Sequence, residues 1–365
     1  MNSPDDGDKQ IWATVPVLPQ HRFDQQALQR YLAAHLAPGG DGATPTAPLR
    51  VRQFQGGQSN PTFLLRWGAA CFVLRKKPPG PLLPKAHLVE REYRVMKALW
   101  SSPVPVPRMR LLCEDPDIIG TPFFVMDFAP GRICAEPTLA AVAPAQRRAL
   151  LDELTIGLAA LHRVDWRACG LVGFGRPENF VARQIAVWSR QYQAAQTTAL
   201  PEMARLTAWL EARLPANPAN SIVHGDYRVG NVILHASEPK VLALLDWELS
   251  TLGDPLADLG YFLMPYYLRA DIPGLKGLKG LDLDALGLPG KDELLATYCR
   301  ASGRPAVGDL DYYVVLSLFR LTAILQGVYA RALQGNAAHA DALQVGKRAA
   351  LLAQTGWAIA QRRDG

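Results

Sequence analysis

HGDYRVGN at residues 224–231 and ALLDWE at residues 243–248 carry the reading of this chain. Asp226 and Asn231 stand five positions apart, and Asp246 follows fifteen later. The apolar VILH (232–235), the turn-forming ASEPK (236–240) and the apolar VLALLDW (241–247) read as two short strands joined by a hairpin loop. The first carboxylate and the amide then share one loop, and the last carboxylate ends the second strand. Phosphoryl transfer uses such a set: a carboxylate for the acceptor hydroxyl proton, and an amide and a carboxylate for Mg²⁺ on the phosphates. Alone, each residue is a common cap or turn former. Their joint spacing and loop–strand–loop placement point to the chemistry.

The rest of the composition is compatible with a globular enzyme. At 365 residues, 49% hydrophobic and 20% charged, the chain has room for two lobes with their own cores. A formal charge of +6 and a pI near 9.1 favour anionic ligands weakly. No long Lys/Arg block or aromatic–basic repeat is present, so nucleic acid is not an expected partner. No membrane span is expected, for want of a long unbroken apolar run. The N-terminus, MNSPDDGDKQ, has no signal-peptide pattern, and Cys71, Cys113, Cys134, Cys169 and Cys299 are unpatterned. Together these imply reduced thiols and a cytoplasmic location.

Residues 1–49 hold one amphipathic helix (23–36) and a Gly/Pro/Thr-rich linker. From residue 50, VRQF, PTFLLRW and ACFVLRK read as strands, 86–100 as a helix, and MRLLCED and PFFVMDF as two more strands. That predicts a five-stranded antiparallel sheet with one helix. Helical patterns follow at 146–164, 179–195, 204–214, 292–302 and 311–333. The expected fold is α+β and bilobal: an N-terminal helix and linker (1–49), a small nucleotide-binding β-lobe (50–130) and a larger helical lobe for catalysis and substrate (131–365).

Four segments carry a family resemblance: VLRKKPPGPLLPKAHLVEREYRVMKAL, GLVGFGRPENFVARQIAVWSRQY, HGDYRVGN and LALLDWELSTLGDPLADLGY. Over roughly residues 50–335 the chain resembles the aminoglycoside phosphotransferase (choline-kinase-like) family of the protein-kinase-like fold. It is similar in particular to the kinase portion of certain acyl-CoA dehydrogenase fusion proteins. The resemblance implies that FQGGQSNPTF (54–63) is a phosphate-covering turn, with Gly56 and Gly57 allowing close approach and Ser59 and Asn60 offering donors. Without GxGxxG, the same residues would also suit an ordinary hairpin. It places Arg75 on the α- and β-phosphates. Strand alternation sets Val73 and Arg75 on one face and Lys76 on the other, and which cation meets phosphate stays open. Glu92 is the expected helical partner of Arg75, with Glu90 a surface charge. PFFVMDFAPG corresponds to the hinge: Met126 backs the adenine pocket, while the Asp127 carbonyl and Ala129 N–H meet the adenine edge. The Asp127 side chain is expected to face solvent.

For the transfer step the resemblance implies Asp226 as base and Asn231 and Asp246 as Mg²⁺ ligands. Arg228 is either a γ-phosphate neutraliser or an exposed loop arginine. His224 and Asp258 are expected to brace the catalytic loop, Glu248 and Asp254 to flank the metal loop, and His162 to be structural. The implied activity is an ATP- and Mg²⁺-dependent small-molecule kinase acting on a hydroxyl, of a hydroxyacyl-CoA or another anionic metabolite by the branch resemblance. Arg176, Arg183 and Arg190 could meet such a substrate or form a solvated face. The alternatives are an aminoglycoside or amino-alcohol kinase and a catalytically silent nucleotide-binding protein. A protein kinase is disfavoured because no APE-like segment follows DWE: the GDPLADL segment reaches Asp254 eight residues after Asp246.

Overall fold

The computed structural model describes residues 13–36, 47–55, 60–78, 87–216, 219–334 and 342–364. Gly56, Gly57 and Ser59 lie outside the described residues. The chain forms two compact units, Met1–Ile133 with Val232–Glu248, and Cys134–Asn231 with Leu249–Gly365.

The first unit opens with β1 (Thr14–Val15), α1 (Gln25–His35), β2 (Arg50–Phe54), β3 (Thr62–Trp67), β4 (Ala70–Lys76), α2 (Val89–Leu99), β5 (Met109–Cys113) and β6 (Phe123–Asp127). The strands form an antiparallel sheet in the order β1-β2-β3-β4-β6-β5. Six strands therefore stand where five were expected, because a two-residue strand leaves no periodicity to read. The sheet also has a helix on each face, not one helix alone. On one face Leu28 and Leu32 of α1, both 0% exposed, pack with Phe63, Leu65, Trp67, Phe72, Leu74, Phe123 and Val125. Burial of each such side chain stabilises by about 1.5–3 kcal/mol. Asp24 starts α1 by accepting the N–H groups of Gln26 (2.8 Å) and Ala27 (2.9 Å). On the other face α2 packs against β5 and β6, with Tyr93 set against Phe124.

The second unit begins with α3 (Pro144–Arg163), α4 (Phe180–Ala195), α5 (Pro201–Glu211) and β7 (Ser221–Val223). The expected hairpin then forms from β8 (Val232–Leu234) and β9 (Val241–Leu244). A division in chain order puts this hairpin with residues 131–365, whereas it belongs to the first unit. Backbone bonding explains the difference: Arg132 and Leu234 exchange N–H···O bonds of 2.8 Å, and the Leu244 N–H reaches the Pro105 carbonyl at 2.8 Å. Gly131 is required at that crossing, since a Cβ there would lie 2.3 Å from the Leu234 oxygen.

The chain returns to the second unit with β10 (Thr251–Gly253), which pairs with β7. Then come α6 (Leu256–Leu263), α7 (Lys291–Ser302), α8 (Leu310–Leu333) and α9 (Ala342–Asp364). The sequence patterns did not single out α6 or α9. The first is only eight residues long and begins inside the GDPLADLGY block. By length and mean apolar content α8 meets the requirement for crossing a membrane, although Arg320 interrupts any unbroken apolar run. A soluble core helix meets the same requirement. Here α8 packs against α4, α6 and α9, with Val314, Val315, Leu318 and Phe319 fully buried.

Candidate active site

The loop 224–231 in the second unit is built on one buried carboxylate. Asp258, on the first turn of α6, accepts the backbone N–H of His224 (2.6 Å) and of Gly225 (2.8 Å). His162 closes the arrangement, with one ring nitrogen 3.5 Å from Asp258 and the other 2.8 Å from the Tyr298 hydroxyl. Burial raises the Asp258 pKa, but the His162 hydrogen bond and charge and the loop N–H outweigh it, leaving the carboxyl below its ordinary value. Gly225 sits at φ +85°, and a Cβ there would lie 2.6 Å from the Leu249 carbonyl oxygen. The expected bracing roles of His224 and Asp258, and the structural role expected of His162, thus correspond to actual bonds. Asp254 is a cap: its carboxylate accepts from the Leu256 N–H (3.0 Å) and the Tyr313 hydroxyl (2.5 Å).

This bracing presents Asp226. Its N–H donates to the His224 ring Nδ1 at 3.2 Å, which fixes that ring as the Nε2–H tautomer. The Asn231 Nδ2 donates to both the Asp226 carbonyl (2.8 Å) and its carboxylate Oδ2 (2.6 Å). Two acceptors around one nitrogen settle the amide orientation. Arg228 Nε lies 3.2 Å from the same Oδ2, with the arginine side chain 45% exposed. Tyr261, at the end of the LGY block, neighbours Asp226, and burial first and then the carboxylate raise its phenol pKa. Sequence spacing gave no sign of that contact, because residues 226 and 261 are brought together only by tertiary packing.

The first unit holds the cationic part. Arg75 Nε lies 3.2 Å from Glu92 Oε2, and its Nη2 lies 3.1 Å from Asp246 Oδ1. The Nε–H is not aligned on Glu92 and has no hydrogen-bond partner despite being buried. Burial works against the Arg75 charge, but Glu92, Asp246 and Glu248 outweigh it and hold the guanidinium above its ordinary pKa. Lys76 points to the opposite face of β4, 2% exposed, with its ammonium over the Phe23 ring. Glu90 pairs with Lys77 at 2.5 Å instead of standing alone in solvent.

Asn60 departs from the expected phosphate donor. It is fully buried, and its amide donates to Glu92 Oε1 at 2.9 Å, so it orients the carboxylate that faces Arg75. Asp246 adopts φ +67° two residues beyond the end of β9. Left-handed backbone is rare for residues other than Gly, Asn and Asp. Met126 is buried on β6. Asp127 also departs from expectation: its side chain takes a two-point contact from Arg110, at 2.5 and 3.1 Å, instead of facing open water. Ala129 follows the strand end and is half-buried. Of the arginines proposed for substrate, Arg183 donates to the Arg176 backbone carbonyl, and Arg176 and Arg190 are exposed.

Glu92 is 1% exposed, and burial, offset in part by Arg75 and reinforced by Asp246 and Glu248, pushes its pKa up to about 7. A carboxyl raised above its unfolded value favours folding in the protonated form. Its contribution is therefore full below about pH 4.5 and is lost as pH rises through about 7. Glu92→Gln does not titrate. The stability advantage of wild type over Glu92→Gln is expected to shrink by up to about 3 kcal/mol between pH 4.5 and 7.5. Denaturant melts of both proteins across that window measure it, and a pH-independent difference would refute it.

Residues 50–311 match the family model described as the phosphotransferase enzyme family. Acyl-CoA dehydrogenase family member 10 of Mus musculus is 43% identical over 349 residues, 96% of this chain. The chain spans only 32% of that relative. A crystal structure from Ralstonia eutropha, of a protein provisionally assigned as an aminoglycoside phosphotransferase, shares 42% identity with a TM-score of 0.83. It covers 93% of this chain and 99% of its own. Spectinomycin phosphotransferase, solved with ADP and spectinomycin, shares the fold at 12% identity, with a TM-score of 0.60 over 92% and 98% of the two chains. The bilobal α+β fold of protein-kinase-like phosphotransferases is thereby established.

Proposed function

Because the chain belongs to the phosphotransferase enzyme family, whose members pass phosphate to a hydroxyl, we propose that it is an ATP- and Mg²⁺-dependent small-molecule kinase. The observation that carries this reading is the Asp226 carboxylate, held on a braced loop by Asn231 and Arg228. A carboxylate so held is oriented to accept the proton of an acceptor hydroxyl. Arg75, with a buried and unpartnered Nε–H and Glu92 beside it, is suited to phosphate oxygens. Arg228 is placed to offset charge on the transferred group. The hinge backbone at Asp127 and Ala129, backed by Met126, is assigned to adenine.

The residues also fit Mg²⁺. Asn231 engages its amide nitrogen with Asp226, which leaves the carbonyl oxygen as its donor atom. Arg75 takes one oxygen of Asp246, and the carboxylate has a second. Hard oxygen donors of this kind suit Mg²⁺, which neutralises phosphate charge when bound.

For the acceptor we favour an anionic hydroxy compound such as a hydroxyacyl-CoA. The support is the 43% identity, across nearly the whole chain, to a protein named as an acyl-CoA dehydrogenase family member, together with the net charge of +6. The second reading is an aminoglycoside or amino-alcohol acceptor, and the relative from Ralstonia eutropha supports its aminoglycoside part. ADP release measured against a panel of hydroxyacyl-CoAs, amino alcohols and aminoglycosides decides between them. Efficient turnover of an aminoglycoside with no response to any acyl-CoA would overturn the acceptor but keep the kinase.

A further inference from the structure

Arg320 lies on α8 with its guanidinium carbon 5.4 Å from the Trp188 ring centroid on α4 and 5.3 Å from the Tyr261 ring centroid on α6. Both distances fall within the cation–π range of about 6 Å, so two aromatic rings bracket one cation. Trp188 is steadied by its own N–H, which donates to Gln184 at 2.9 Å. The Tyr261 phenol also neighbours Asp226, so one ring lies close to both the guanidinium and the carboxylate proposed to meet the acceptor. The Arg320 Nε–H is buried with no hydrogen-bond partner among the described residues. A buried donor of a charged group is costly to leave unmade, which marks it as a place for an incoming oxygen.

The arrangement also bears on what is kept out. Aromatic faces are the usual means of holding an ammonium ligand. Here the chain's own guanidinium occupies them. A cationic acceptor would meet like charge, and an acceptor with a carboxylate or carbonyl oxygen would meet a fixed planar donor.

We propose that Arg320 is the acceptor-reading residue. It binds a carboxylate or thioester carbonyl oxygen of the molecule whose hydroxyl faces Asp226, and it excludes amino alcohols by filling the Trp188–Tyr261 bracket. Tyr261 acts as a positioning residue, tying the oxygen-reading group to the base. This inference rests on the kinase reading above and narrows its acceptor.

The test uses the whole protein with Mg·ATP and three acceptors: 3-hydroxybutyrate, 3-hydroxybutyryl-CoA and 1-amino-2-propanol. Wild type is expected to release ADP with one or both anionic acceptors and not with the amino alcohol, and the active arm distinguishes carboxylate from thioester. Arg320→Leu is expected to raise KM for that acceptor by roughly 30-fold, the worth of a charge-assisted hydrogen bond, with kcat changed by less than about threefold. Arg320→Lys, which keeps the charge without the planar fork, should fall between the two. Calorimetric Kd values for Mg·ATP and thermal midpoints are expected to match wild type in both variants. An unchanged KM in Arg320→Leu, or a wild-type preference for the amino alcohol, would overturn the proposal and leave the kinase reading standing. Should no acceptor turn over, calorimetry of 3-hydroxybutyryl-CoA decides. Binding to wild type that is lost in Arg320→Leu supports the role of Arg320, and no binding to wild type refutes it. Failure to bind Mg·ATP would count against the kinase reading alone.

Discussion

Asp226→Asn is expected to lower phosphoryl transfer by about 10³-fold while Mg·ATP affinity stays within about twofold of wild type. The substitution is nearly isosteric. An amide oxygen can still accept from Asn231, and the backbone bonds from His224 and Gly225 to Asp258 do not involve residue 226. The loop therefore keeps its shape. What disappears is the charge that accepts the hydroxyl proton and the attraction to Arg228. Arg75, the cation proposed for the nucleotide, and its partners Glu92 and Asp246 are separate groups. ADP release with a working acceptor, alongside calorimetry of Mg·ATP, separates the two effects. Turnover within about tenfold of wild type would remove Asp226 from the role of base.

How much of this was legible in the sequence depends on the range over which residues interact. The hairpin at 232–244 and the loop before it could be read because apolar runs and turn formers lie side by side. Alternation along β4 correctly separated Arg75 from Lys76, since period two is a local property of a strand. Partnerships formed by tertiary packing were not legible in the same way. Arg75 and Asp246 are 171 residues apart, and only family resemblance had placed them in one reaction. The contacts Asn60–Glu92, Arg110–Asp127 and Tyr261–Asp226 leave no periodic signal, and the first two altered the expected role or setting of a residue. Docking of α1 on the sheet was also hidden. Its apolar stripe was visible, but a stripe does not name the surface it covers, and a Gly/Pro-rich linker had made it look detached.

Asp246 carries two burdens that one experiment can separate. Its carboxylate faces Arg75 at 3.1 Å, and its backbone sits at φ +67°, two residues beyond the end of β9. Asp and Asn tolerate that conformation, whereas an ordinary side chain incurs strain of about 1–2 kcal/mol. Asp246→Asn should therefore lose only the charge attraction to Arg75, and Asp246→Ala should lose about 1–2 kcal/mol more in denaturant melts. Both variants remove the anionic oxygens assigned to Mg²⁺. Both are thus expected to lose about 10²-fold in Mg·ATP affinity, of the order of one charge-assisted contact, and to show no turnover above background. Nucleotide binding measured with excess chelator supplies the control, because it reports affinity without metal and should differ little between wild type and the Asn variant. If Asp246 served only to shape the turn, the Asn variant would bind Mg·ATP like wild type and only the Ala variant would be impaired, through its fold. A metal role predicts the opposite order of evidence: the well-folded Asn variant fails with metal present and matches wild type with metal removed.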